Sequence, residues 1–361
     1  MPSDWLLALL DVAAIAALAW AGGLVMQRLG QPRIAGEMAA VFGAGLLLGG
    51  QIADVVPGQQ AEGAIAAIFP PTALAFVSVV GAIGLALYML LVGITIDPAP
   101  MRSRAGALAL LAAATIGAML TLALVAGPLL ADARGWKAPG ASDGAFVLAL
   151  AAALAANGLP IVARMLEDRA MAHGAVGSTV IVAATCVTAT ALIAAAVAIG
   201  AADAPAAGRL ALLIGPLIVG LAIDKGGVAA VAVERRLGVA VRRVGLPAFL
   251  GFAALHTDLG ELGADVLAPV VAMLVAVIAL KLAAAYLAAR VVGFGHSDAR
   301  AIGALMQCGG VMTIAISLES LHAELIDPRM HATLTVIGLA TTIVAGPLLP
   351  RALAAPRPAA V

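Results

Sequence analysis

The chain is short of charge and of aromatic rings. Of its 361 residues only 11% are Asp, Glu, Lys or Arg and 3% are Phe, Trp or Tyr, whereas 63% are hydrophobic. A soluble domain of this length needs far more charge on its surface, so that class is excluded. Neither sign of charge is in excess, with 20 basic and 20 acidic residues, which excludes a basic nucleic-acid binder. There are two cysteines, Cys186 and Cys308, both inside apolar runs. They make no disulfide framework and have no metal-ligand spacing. No His-Glu-x-x-His zinc motif or phosphate-binding loop is present, so no enzymatic role, cofactor or resident metal is expected. The first residues carry Asp4 and Asp11 in place of a basic leader, and they read as a first membrane span.

What is abundant is long apolar sequence. A span needs about 20 apolar residues, because roughly 30 Å of hydrocarbon is crossed at 1.5 Å per residue. Runs of that kind fall at 5–26, 33–50, 72–96, 105–131, 144–166, 175–200, 208–226, 244–257, 265–293, 299–322 and 329–350. The expected fold class is therefore an all-α polytopic membrane protein with about 11 transmembrane helices. The run at 244–257 is short, and is either longer than it looks or re-entrant. The stretch from Glu234 to Arg243 reads as an amphipathic surface helix. Residues 1–352 are expected to form a single transmembrane transporter domain, and 353–361 a short cytoplasmic tail. With the N-terminus outside and the C-terminus cytoplasmic, fifteen Lys and Arg residues fall in inner connections and four in outer ones, the bias expected of a cell (inner) membrane protein.

Polar groups inside the runs are few, and each needs a reason to be in hydrocarbon. Asn157 sits mid-run in Asn157-Gly158-Leu159-Pro160. Thr185, Cys186, Thr188 and Thr190 cluster in the sixth run. Lys281 lies near the middle of its run, too deep to snorkel to water. Gln307, Cys308, Gly309, Gly310 and Thr313 lie mid-run in the tenth, Glu37 near the end of the second, and Asp11 in the first. Gly158 with Pro160, and Gly309-Gly310, predict two interrupted helices, one in each half of the chain. Paired interruptions are the sequence pointer to a transporter site. Plainer roles stand beside these. Glycines serve close packing, threonines bond their own backbone, the cysteines act as small hydrophobes, and Glu37 pairs with Arg33.

Several stretches resemble the membrane domain of the monovalent cation:proton antiporters, the branch with bacterial sodium/proton exchangers and potassium-efflux exchangers. They are Leu29-Gly30-Gln31-Pro32-Arg33-Ile34-Ala35-Gly36-Glu37, Leu91-Val92-Gly93-Ile94-Thr95-Ile96-Asp97, the run from Leu159 to Leu166, Thr257-Asp258-Leu259, Lys281, and Ala340-Thr341-Thr342 with Gly346-Pro347-Leu348-Leu349. The resemblance implies an inverted-repeat antiporter fold with two crossing broken helices in a core domain, a dimerisation domain beside it, a homodimer, and alternating access. It implies Na+ or K+ and H+ as substrates. Gly215-Pro216-Leu217-Ile218-Val219-Gly220-Leu221 resembles a later helix of the family, so about two of the family's usual thirteen spans are missing.

The departures are chemical. Where the family carries aspartates in its sixth helix, this chain has Val187 and Thr188. Asn157 replaces a Ser or Thr before the first break, and Gly309, Gly310 and Thr313 replace an Arg-Gly and a Glu. The coupling carboxylate is absent where the resemblance puts it. The expected cation and proton site is Asn157, Thr185, Cys186, Thr188, Lys281 and Gln307, with Glu37 as the nearest retained acid. The alternative is a degenerate relative, transport-inactive or altered in substrate, acting as a membrane binding or regulatory subunit.

Overall fold

In the computed structural model, the described residues are 2–29, 31, 33–49, 71–96, 105–133, 135–167, 169, 171, 174–200, 203–224 and 227–353. The expected tail at 353–361 and the outer connection at about 51–71 lie almost wholly outside them. In chain order the helices are α1 (Pro2–Arg28), α2 (Arg33–Gly49), α3 (Pro71–Thr95), α4 (Ala105–Ala131), α5 (Asp143–Ala155), α6 (Leu159–Glu167), α7 (Ala175–Gly200), α8 (Ala204–Ala222), α9 (Val228–Ala240), α10 (Leu246–Leu255), α11 (Leu267–Val291), α12 (His296–Met306), α13 (Gly310–His322) and α14 (Pro328–Leu353). Among the described residues, β pairing is confined to one isolated bridge, Lys137 to Ile326. Among the described residues, eight helical stretches are long and apolar enough to cross a bilayer.

The helices cover their own backbone polar groups, which hydrocarbon requires. Their outward faces are apolar. Leu10 is 62% exposed and Leu129 71% exposed, as lipid-facing residues should be. The run at 244–257 is short because it is only the end of a longer path. A π turn, Val241–Gly245, joins α9 to α10, and Ala230–Leu255 forms one span-length stretch. The expected surface helix at 234–243 is the first part of that same path.

The chain forms two compact units. Unit 1 is Met1–Thr95 with Leu212–Gly263, and unit 2 is Ile96–Ala211 with Ala264–Val361. In unit 1, α1 packs along α2, and α10 packs on α2 and α3. Small residues allow the close approach of α1 and α2: a Cβ on Gly36 would overlap the Gly22 carbonyl oxygen. In unit 2, α5 packs against α4, α7 and α13, while α12 packs on α11 and α14. Residues 301–318, most of the stretch from α12 through α13, are all buried and form the centre of the unit.

Gly36→Val is expected to force α1 from α2 and to cost about 1–3 kcal/mol. Thermal unfolding of the detergent-purified chain checks this, and an unchanged midpoint would contradict the packing.

Candidate functional site

The first interruption follows from Pro160. In a continuous helix the N–H of residue 160 would bond the Ala156 carbonyl, and proline has none. The proline instead occupies the first turn of a new helix, α6, where no donor is needed. Three carbonyls at the end of α5 thereby lose their partners. The Gly158 N–H, which would serve Leu154, donates to the Cys308 carbonyl at 2.7 Å. The Leu159 N–H, which would serve Ala155, donates to the Asn157 carbonyl at 2.8 Å. Ala156 has no donor because of Pro160.

Lys281 supplies all three. Its Nζ donates to the carbonyls of Leu154 at 3.1 Å, Ala155 at 3.2 Å and Ala156 at 3.1 Å. The side chain is 0% exposed and reaches α5 from α11. An ammonium has three N–H donors and no acceptor, so three carbonyls match it one to one. Of the buried charged side chains among the described residues, Asp11 and Glu37 belong to unit 1 and Lys281 alone to unit 2.

The second interruption lies against the first. Gly310 has φ +51°, in the left-handed region that glycine enters without a Cβ penalty. A Cβ on Gly158 would sit 3.1 Å from the Gly309 carbonyl oxygen, so the two breaks touch backbone to backbone. The Gly309 N–H donates to the Thr341 hydroxyl at 3.2 Å, which ties the second break to α14. The Thr188 hydroxyl of α7 donates to the Asn157 carbonyl at 3.0 Å and accepts from the Asn157 N–H at 3.3 Å. Two helix ends with negative dipoles, α5 and α12, meet two positive starts, α6 and α13.

Buried polar atoms remain without partners here. The Asn157 Oδ1 and both amide atoms of Gln307 are buried and make no hydrogen bond. The Asn157 Nδ2 has only the weak acceptor Met306 Sδ at 3.8 Å. Such groups are rare in folded proteins and mark places where water or a ligand belongs. One comes from each break, so the two orphaned amides flank the crossing.

The expected site residues divide accordingly. Asn157, Thr188, Lys281 and Gln307 are all buried at or beside the crossing. Thr185 is buried on α7, but its hydroxyl donates to the Ile181 carbonyl one turn back. Cys186 is exposed on the outer face of α7. Glu37 lies in unit 1, in an ion pair of 3.0 Å with Arg33. Val187, at a position of the absent aspartates, is fully buried. Reading side chains alone missed the three α5 carbonyls and the Cys308 carbonyl, because backbone acceptors carry no letter of their own. Pro160 was their signal. Thr341 was also missed as a partner of the second break, although its neighbour Thr342 makes a conspicuous polar pair within an apolar run. Gly140-Ala141-Ser142-Asp143-Gly144 has the spacing of an esterase nucleophile elbow, but the Ser142 hydroxyl accepts from the Ala145 N–H as the N-cap of α5.

A family model described as "Sodium/hydrogen exchanger, transmembrane" matches residues 13–243 and 207–355. The Na(+)/H(+) antiporter NhaS4 of Synechocystis sp. is 24% identical over 411 residues, covering 97% of this chain and 98% of that protein. The solved structure of the sodium proton antiporter MjNhaP1 from Methanocaldococcus jannaschii at pH 8 superposes with a TM-score of 0.62 at 13% identity. That likeness covers 97% of this chain and 100% of the other. At that identity it is a likeness of fold.

Lys281→Met removes the donors for three buried carbonyls. It is expected to lower stability by about 2–4 kcal/mol. Thermal unfolding in detergent checks this, and a variant as stable as the wild type would show that the carbonyls find other donors.

Proposed function

Because the chain belongs to the sodium/hydrogen exchanger family, we propose that it is a secondary active transporter exchanging Na+ or K+ for H+ at the crossing of its two helix breaks. The observation that carries this reading is the cage of three carbonyls held by Lys281, beside the orphaned amides of Asn157 and Gln307. Carbonyl oxygens are the ligands by which a dehydrated monovalent cation replaces its water. Cation and ammonium therefore compete for the same oxygens.

Charge makes the competition exclusive. Two unit charges about 4 Å apart repel by roughly 4 kcal/mol even at an effective dielectric constant near 20. As the cation enters, one N–H bond of the Lys281 ammonium breaks and its proton passes to water, leaving a neutral amine. The cation takes the carbonyls together with amide oxygen from Asn157 or Gln307. Its departure on the other side of the membrane returns the acceptors to a reprotonated ammonium. One charge replaces another, so the step is one for one and needs no carboxylate. Thr188 is a positioning residue that holds the Asn157 backbone in the break.

The rest of the reading follows the family. The two interruptions are the broken helices of an inverted repeat, unit 1 is the dimerisation side of a homodimer, and the N-terminus is outside. A span count near eleven is supported by the match to NhaS4. It runs over 411 residues, while 97% of 361 is about 350, so roughly 60 positions of the alignment are gaps here, room for a helix pair. A second reading has its own observation. No acidic side chain is buried in unit 2 among the described residues, which favours a transport-inactive or altered-substrate relative serving as a membrane regulatory subunit.

The test is proton movement in inside-out vesicles with a pre-formed pH gradient and a pH-sensitive dye, adding sodium, lithium or potassium in turn. Exchange predicts that one cation collapses the gradient. Asn157→Ala should abolish the response in a folded protein, and so should Lys281→Ala, which removes the group that carries the proton. Normal flux in Asn157→Ala would remove the site assignment. Silence of the folded wild type toward every cation would favour the second reading.

A further inference from the structure

A basic cavity of about 330 Å³ opens in unit 1, where α1, the start of α2 and the π turn meet. Its wall includes Trp20 from α1, Arg33 and Glu37 from α2, and Arg242, Arg243 and Val244 from the π turn. A π turn winds more residues into each turn than an α-helix does, so neighbouring side chains splay less around the axis. Arg242 and Arg243 accordingly reach the same cavity.

The charges of the wall do not cancel. Arg33 is paired with Glu37 at 3.0 Å, and Arg242 with Glu234. Arg243 is exposed, and among the described residues no carboxylate pairs with it. Counting Glu234, which holds Arg242 but does not line the cavity, three guanidiniums stand against two carboxylates among the described residues, and Arg243 is the exposed one. The same opening is apolar: Trp20 is 50% exposed and Val244 37%. Tryptophan at such a place belongs at headgroup depth, where its ring faces the acyl region. A guanidinium offers paired donors that fit phosphate oxygens.

We propose that this cavity binds one anionic phospholipid, its phosphate on Arg243 beside Arg242 and its acyl chain along the exposed faces of Trp20 and Val244. A basic pocket between spanning helices is the expected seat of such a headgroup. An apolar wall continuous with the phosphate position favours a lipid over free phosphate. Glu37 does not oppose it, since its carboxylate is held by Arg33. The site contains no residue of the break crossing and stands apart from the exchange reading.

The experiment uses the full chain in a neutral detergent. Its thermal midpoint is measured with added phosphatidylglycerol, phosphatidylcholine or inorganic phosphate, and retained lipid is weighed by native mass spectrometry. Phosphatidylglycerol should raise the midpoint above phosphatidylcholine and remain bound as a one-to-one adduct. Arg243→Gln should weaken phosphatidylglycerol binding about fivefold, the worth of one arginine near an anionic surface. Arg243→Lys should keep most of it, and because Arg243 is exposed neither variant disturbs the core. Equal effects of the two lipids, or equal binding by wild type and Arg243→Gln, would overturn the proposal. So would equal loss in both variants. An equal midpoint shift with inorganic phosphate would also overturn it, by assigning a free-anion site.

Discussion

Unit 2 depends on one constraint: backbone polar groups released by breaking a helix inside hydrocarbon must be satisfied by protein. Breaking α5 from α6 releases three carbonyls, and Lys281 takes all three. The remaining groups are shared between the breaks and their neighbours. Gly158 donates to Cys308, Thr188 bonds both backbone groups of Asn157, and Thr341 accepts from Gly309. Each bond joins different helices, so the crossing holds unit 2 together as well as shaping its centre. A lysine here is first a cap for a broken helix, and its chemistry follows from that.

The same arrangement answers the absence of the aspartates. A carboxylate at the crossing would offer cation and proton one shared ligand. In its place the chain has hydrophobic Val187 and a Thr188 whose hydroxyl is engaged with the backbone. On the exchange reading proposed above, the exchangeable positive charge resides on Lys281, and its acceptors are the carbonyls released at Pro160. On that reading, competition between a cation and an ammonium for those oxygens would retain the logic of exchange with the titrating group on another helix.

Much of this was legible in the residues. The runs at 105–131 and 175–200 coincide with α4 and α7, because no proline or charge interrupts their interior in a way that stops a helix. The two breaks were visible as Gly158 with Pro160 and as Gly309-Gly310, and Lys281 was visible as a lysine too deep to reach water. The path through 244–257 is open in the sequence to a longer or a re-entrant reading, and it is longer: arginines at its start signal an interface, while a π turn carries the helix through them. Cys186 was grouped with Thr185 and Thr188 by proximity in sequence, although about 100° per residue separates neighbouring side chains on a helix and turns it outward. Glu37 was an acid in an acid-poor chain, and only the division into units separates it from Lys281. Pro160 marked that carbonyls are released there, but that Lys281 takes those of Leu154, Ala155 and Ala156 lay beyond the sequence, since it depends on how α11 packs against the end of α5.

The claim that cation and proton displace each other at Lys281 is tested most directly by measuring proton release during cation binding. The purified chain is held in detergent with almost no buffer, and sodium, lithium or potassium is titrated in while pH and bound cation are followed together. The account predicts one proton released for each cation bound, with release lost in Lys281→Met. Cation binding without proton release, or release that persists in that variant, would contradict it.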